Sequence, residues 1–390
     1  MSEDRRRASA GVAGLALALL LACLTFAGGC RSAPEDELPE GTLWAGDAAA
    51  ARSLLAALEG FSGSPAAVAA GALRERLDGC RSFLAACPAG AACRLPATLA
   101  CEPNGPLAAV ADAVRGEAAW VFSWRDGERR LVARGSEEGG RLVVRASYRD
   151  EDETSAPWEA LLPARGAPAP AAIATQQALL HLHLRSDRAL EALGGMGSGD
   201  WAERLFSLRR ELFTAMALEG TAELAVYTPR EGEVIPPLVL ALHVRDRDAA
   251  VRAMEELLAR VRQRWSVTPS RWSLGEREGA CLRDLNVLPE LAPCYLAGER
   301  QVLVGWNERS VRLALAAPSP PAGEEREAES ELTLFLDRFA AADSTLARAH
   351  RDRVAEPVHY PWSRVRVSGR RSGDRYGLLF EALPAQGSGS

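Results

Sequence analysis

The chain has 390 residues, 47% of them hydrophobic, which is enough for two domains with ordinary cores. All 46 of its basic residues are arginines, set among 52 acidic ones to a net charge of -6. Nucleic-acid binders gather positive charge to displace counterions from phosphates; here the arginines are interspersed with acids, which argues against nucleic acid and against a basic membrane patch.

In chain order, Met1-Ser2-Glu3-Asp4-Arg5-Arg6-Arg7 precedes an apolar stretch from Ala8 to Phe26, and Ala27-Gly28-Gly29-Cys30 follows. A basic flank, an apolar middle and small residues before a cysteine form the layout of a secretory signal. These residues resemble the bacterial lipobox. The resemblance implies a signal peptide over 1–29, cleavage before Cys30, and lipid, palmitate included, on that cysteine. Cys23 is a rival site, but cutting there leaves Leu24-Thr25-Phe26 at the mature start. A plain membrane-spanning anchor is the other reading, since about twenty apolar residues suffice to cross a bilayer. Residues 30–41 are polar and punctuated by Pro34 and Pro39, so they read as a solvated tether. Arg31 resembles the outer-membrane sorting case. The expected address is the cell envelope, lipid-anchored, with the outer membrane favoured.

A first α+β repeat is expected over 42–165. It opens with a strand at Thr42 to Asp47, running into an alanine-rich helix from Ala48 to Leu58, and includes a hairpin from Gly116 to Trp124 across Asp126-Gly127-Glu128. A second repeat over 171–316 opens with Leu179-Leu180-His181-Leu182-His183-Leu184, whose alternation marks a strand, and a helix follows from Arg188 to Leu193. Its hairpin runs from Gly220 to Tyr227 across Glu231-Gly232-Glu233. Leu238, Leu240, Leu242 and Val244 share one strand face. Asp246 or Asp248 caps a helix with Val251, Met254, Leu258, Val261 and Trp265 on one stripe. A hairpin from Cys294 to Trp306 leads to Asn307 as a cap and a helix from Glu308 to Ala316. Residues 317–330 read as a solvated loop, 163–170 as the linker between copies, and 331–384 as a C-terminal strand, helix and hairpin completing the body. The expected fold class is α+β, with antiparallel sheets, helices packed on one face and a duplicated strand-helix-hairpin unit.

Three stretches carry a second resemblance: Leu38-Pro39-Glu40-Gly41-Thr42-Leu43, the Gly220 to Val244 hairpin, and the Tyr295 to Leu315 hairpin and helix. In them the chain resembles a domain-of-unknown-function family of exported bacterial proteins. That resemblance implies no catalytic residues.

Export makes disulfides permissible. Cys281 is expected to pair with Cys294, while Cys80, Cys87, Cys93 and Cys101 leave three pairings open. None of the cysteine intervals has the two-residue spacing of a zinc knuckle.

Candidate chemistry is sparse. His181 and His183 share a strand face and could begin a metal site, but alternation alone predicts leucines toward the core and histidines toward solvent or a neighbouring sheet. His243 lies opposite the leucines of its own strand, and His350 and His359 sit in polar surroundings. Ser62 and Ser64 lack a strand-to-helix elbow, and the Gly194 to Asp200 loop follows a helix, unlike a nucleotide loop. Trp120 and Trp124 could stack on a flat ligand or fill a core. No cofactor motif is present. The expected function is a non-catalytic, membrane-anchored envelope lipoprotein that binds a protein, a lipid or another envelope component. One alternative is a hydrolase or metal-dependent enzyme whose site assembles only in the fold, and another is a lipid carrier with an apolar groove.

Overall fold

The computed structural model describes residues 39–59, 65–88, 98–126, 129–138, 141–149, 173–185, 218–233, 235–265, 267–283, 292–316, 330–339, 342, 345, 362–372 and 375–384. The signal, Cys23, Cys30, Cys93, His350, His359, Ser62, Ser64, the 163–170 linker, the 188–193 helix and the Gly194 to Asp200 loop lie outside them, as do 317–329. The chain forms two compact units, Met1–Thr154 with Glu356–Ser390, and Ser155–Ala355.

Unit 1 opens with β1 (Gly41–Asp47), α1 (Ala48–Glu59), α2 (Pro65–Arg76), β2 (Ser82–Pro88), β3 (Thr98–Cys101), α3 (Pro106–Arg115), β4 (Trp120–Asp126), β5 (Arg129–Glu138) and β6 (Arg141–Arg149). Unit 2 holds β7 (Ala178–Arg185), β8 (Leu218–Tyr227), β9 (Leu238–Val244), α4 (Arg247–Trp265), β10 (Pro269–Leu274), β11 (Arg277–Leu282), β12 (Cys294–Ala297), β13 (Gln301–Gly305), α5 (Glu308–Leu315) and β14 (Ser330–Phe335). The chain then returns to unit 1 with β15 (Trp362–Ser372) and β16 (Arg375–Pro384). The C-terminal stretch is therefore shared: β14 pairs with β7, and β16 pairs with β6.

In unit 1 the strand order is β15-β16-β6-β5-β4-β1-β2-β3, with antiparallel pairing throughout. Asp47 ends β1 and starts α1 because its Oδ1 accepts the Ala50 amide at 2.8 Å, satisfying one of the donors a helix start leaves open. One sheet face, with Leu43, Ala45, Leu84, Val121 and Val132, packs on Ala111 and Val114 of α3. On the other face Trp120 sits directly opposite Gly46 on β1 and Gly135 on β5. A Cβ on Gly135 would lie 2.1 Å from the Trp120 ring, so the missing side chain is what makes room for the indole. Trp120 is thereby buried in the core, and Trp124 is half-buried. Cys80 and Cys101 form a disulfide between the segment before β2 and the end of β3.

In unit 2 the order is β10-β11-β12-β13-β9-β8-β7-β14, again antiparallel at each described pair. β9 is apolar at nearly every position, so both of its faces need cover. Leu242 and Val244 pack with Val302 and Tyr295 against Ala250, Ala253, Met254 and Leu258 of α4. Their sequence neighbours Val239 and Ala241 pack with Leu296 and Leu303 against Val311 and Ala314 of α5. Because adjacent strand residues point to opposite sides, α4 and α5 lie on opposite faces of this sheet. The expectation of helices on a single face does not hold here.

Both helix starts follow from capping side chains. Asp246 Oδ1 accepts the Ala249 amide at 3.0 Å, and Asn307 Oδ1 accepts the Ser310 amide at 2.9 Å. Cys281 and Cys294 stand directly opposite each other on β11 and β12 and are joined by a disulfide within the α5-side core. No helix of the described residues is long and apolar enough to cross a membrane.

Candidate functional site

The strongest concentration of titratable side chains lies on the central strands of unit 2. Register places Thr333 and Ala225 opposite His181, and Glu331 and Glu223 opposite His183. Glu223 in turn faces Ala241 on β9, and two residues further His243 faces Gln301 on β13. Directly paired residues in antiparallel strands share a face, so a polar stripe crosses five strands on the side that α5 covers further along.

Most of the stripe is buried, and His243 is half-buried. His181 is 1% exposed and both His183 and Glu223 are 0%, while Gln301, Glu331 and Thr333 are also buried. Leu180 and Leu182, between and beside those histidines, are only half-buried. The expectation is leucines toward the core and histidines toward solvent or a neighbouring sheet; on β7 the histidines are the more deeply buried of the two. Alternation reports that two faces differ, but it does not report which one the rest of the chain covers.

Glu223 is the centre of this arrangement. Its Oε2 lies 2.9 Å from His181 Nε2, and its Oε1 lies 3.5 Å from His243 Nε2. Burial alone would raise its carboxyl pKa, but the hydrogen bond with His181 and the nearby imidazoles of His243 and His183 carry it well below the ordinary carboxylate range. The carboxylate thus stays ionised in a place where an unpaired charge would cost several kcal/mol. On the same strand the Tyr227 hydroxyl donates to the Ala174 carbonyl at 2.9 Å. Burial, and secondarily the charge on Glu223, push that hydroxyl upward. Thr333 Oγ1 donates to Glu331 Oε1 at 3.2 Å, adding a second carboxylate to the stripe.

Chemically, this geometry pairs charges more than it presents them. Glu223 turns one oxygen to His181 and the other to His243, so these donors do not converge on one point. Among the described residues no group of three or more His, Cys, Asp or Glu is arranged to hold a metal ion. The two histidines singled out from sequence are brought together with Glu223 and His243, which sequence reasoning did not join to them. The available signal was Glu223 itself, an acid inside the apolar run Ala222-Glu223-Leu224-Ala225-Val226.

A second concavity of about 560 Å³ lies between α4 and the outer strands β10 to β12, lined by Arg247, Arg271, Glu278 and Tyr295 among others. Its charges are largely spent on one another. Arg271 pairs with Glu255 at 2.6 Å, the Tyr295 hydroxyl also donates to Glu255, and Arg247 lies 3.8 Å from Glu278. Hydrogen bonds from Arg271 hold the Glu255 carboxyl below its usual range.

No family model matches the chain, and no curated protein does. Among solved structures the chain is similar to one described as "Structure of crystal form III of TP0453", at 6% identity and a TM-score of 0.31. The match covers 56% of this chain and 96% of that one.

Proposed function

We propose that this chain is a non-catalytic envelope lipoprotein, cut before Cys30, held to a membrane by lipid on that cysteine, and using its folded units to bind a partner protein, a lipid or another envelope component. The observation that carries the non-catalytic part is the burial of His181 and Glu223, with His243 half-buried beside them. General acid-base residues must reach a substrate proton directly or through one water. Here Glu223 is instead paired with His181 where both are buried, and His243 lies 3.5 Å from its other oxygen. The anchored part rests on the signal layout before Cys30 and the polar tether after it.

The lipid-carrier reading draws on the opposite face of the same strands. There Leu180, Leu182, Leu224, Val226, Leu240 and Leu332 are all half-buried aliphatic side chains. We also read the two units as copies of one plan. In each, the opening strand lies beside the first strand of the later hairpin, β1 beside β4 and β7 beside β8, with β5 and β9 next in order.

Growth in labelled palmitate tests the anchor. The wild-type protein is expected to carry label and to sediment with membranes, whereas Cys30→Ala is expected to lose both. A mature protein that retains residues 1–29, or that carries no acyl mass on its first peptide, would remove the basis for this reading.

A further inference from the structure

Beyond His243 the polar row of unit 2 continues toward the outer strands. Gln301 on β13 lies directly opposite His243. The turn from β12 to β13 sets Gly298 beside Gln301, with the Gly298 amide donating to the Gln301 carbonyl at 2.8 Å. On β11, one residue before the pair of Glu278 with Ala297, Arg277 comes level with Gly298. A Cβ on Gly298 would lie 3.1 Å from Arg277 Nε, so the arginine side chain runs across space that the glycine leaves open. Counting along each strand by twos from Gln301, Gly298 and Arg277 leads to Leu303, Leu296 and Cys281, which lie in the α5-side core. The three therefore belong to the face that carries Glu223 and His243.

Arg277 Nη1, Gln301 Nε2 and His243 Nε2 are all buried nitrogens without a hydrogen-bond partner. Gln301 as a whole is 9% exposed. Among the described residues no acid pairs with Arg277; its neighbour Glu278 lies 3.8 Å from Arg247. Interiors rarely leave such groups unmet, because each has given up the hydrogen bonds it made to water. Three in one row, one of them a guanidinium without a carboxylate, are complementary to an acceptor that carries negative charge. Arg277 and His243 are half-buried, so the row reaches the surface. Glu223, a carboxylate on the same face, lies one strand beyond His243 and is engaged by His181 on its other oxygen.

We infer that Arg277, Gln301 and His243 form a binding site for an oxyanion group, a carboxylate or a phosphate. Arg277 presents its planar fork, Gln301 its amide N–H and His243 a ring N–H. The site lies wholly in unit 2, so it stands whether or not Cys30 carries lipid. Titration calorimetry of the full chain with inorganic phosphate and with acetate, against chloride at equal ionic strength, tests it. At least one of the two is expected to bind and to raise the melting temperature. Arg277→Met and Gln301→Leu are each expected to weaken binding about tenfold or more, since each removes a hydrogen bond to a charged group. Gly298→Ala keeps every donor but crowds Arg277 Nε, and it is expected to weaken binding as well; it is read in the same way if Arg277→Met does not fold. Dihexanoylphosphatidic acid separates two sources of the group: binding tighter than inorganic phosphate places the oxyanion on a lipid, and binding no tighter places it on a free small acid. An arginine with a merely structural role would give Arg277→Met a lower melting temperature with the anion-dependent increment intact, and that result would overturn the proposal. So would a wild-type protein that responds to neither anion, which would assign the row to ordered water.

Discussion

The two units solve the same packing problem with different materials. Each lays out an antiparallel sheet whose central strands are buried, but unit 1 fills the place under its middle strand with Trp120, accommodated by Gly46 and Gly135. Unit 2 sets Glu223 and three histidines on one face of its central strands. An indole over glycines is held by area and shape alone, which tolerate pH and salt. A carboxylate among imidazoles is held by pairing, and pairing fails abruptly when one member is lost or its charge changes. Unit 2 should accordingly be the more easily broken of the two.

The largest expected effect comes from deleting the centre of the polar stripe. Glu223→Ala removes the carboxylate that pairs with His181 and lies beside His243, and breaking a buried pair from one side costs about 3 to 5 kcal/mol. Hydrogen exchange followed by segment should show faster exchange over 178–185 and 218–244, with 120–149 unchanged. Equal protection of both regions in that variant would show that the stripe contributes little to the stability of unit 2.

Acid should reproduce the effect by degrees. The folded Glu223 carboxyl titrates below its ordinary value of 4.5, so its contribution is complete above that value and is lost as pH falls toward the lowered folded value. Exchange in the β7 to β9 region is expected to accelerate between pH 5 and pH 3 more than in the β4 to β6 region, a range set by the ordinary carboxylate value of about 4. Glu223→Gln should flatten that difference.

The smallest effect belongs to unit 1. Gly135→Ala places a methyl group 2.1 Å from the Trp120 ring, and overpacking of this kind costs about 1 to 3 kcal/mol. Its signature is a shift in Trp120 fluorescence with a lower melting temperature and no change in pH dependence. A pH-dependent loss there would undo the contrast between the units.

Much of the local structure was legible before folding. The strand ending at Asp47 and the helix beginning at Ala48 fall where the sequence puts them, because an aspartate after an alternating run is a capping signal with a mechanism. Asn307 behaves likewise for α5, and Cys281 and Cys294 stand opposite each other on neighbouring strands and form the expected pair. The candidate site was legible only as two histidines at strand spacing. Glu223, the partner of His181, lies 42 residues further along on β8, and His243 lies on β9; no local pattern links positions that far apart.

What the sequence determined by itself was periodicity: which stretches alternate, which repeat at helical spacing, and where caps and turns interrupt them. Those features are set by the few residues within one turn or one pleat. Tertiary structure alone decided which face of β7 would be covered, that α4 and α5 would take opposite sides of one sheet, and that the C-terminal stretch would be divided between the units. Each of those outcomes depends on the free energy of burying one surface against another distant in the chain. His181 is inside because Glu223, from another strand, makes its burial tolerable.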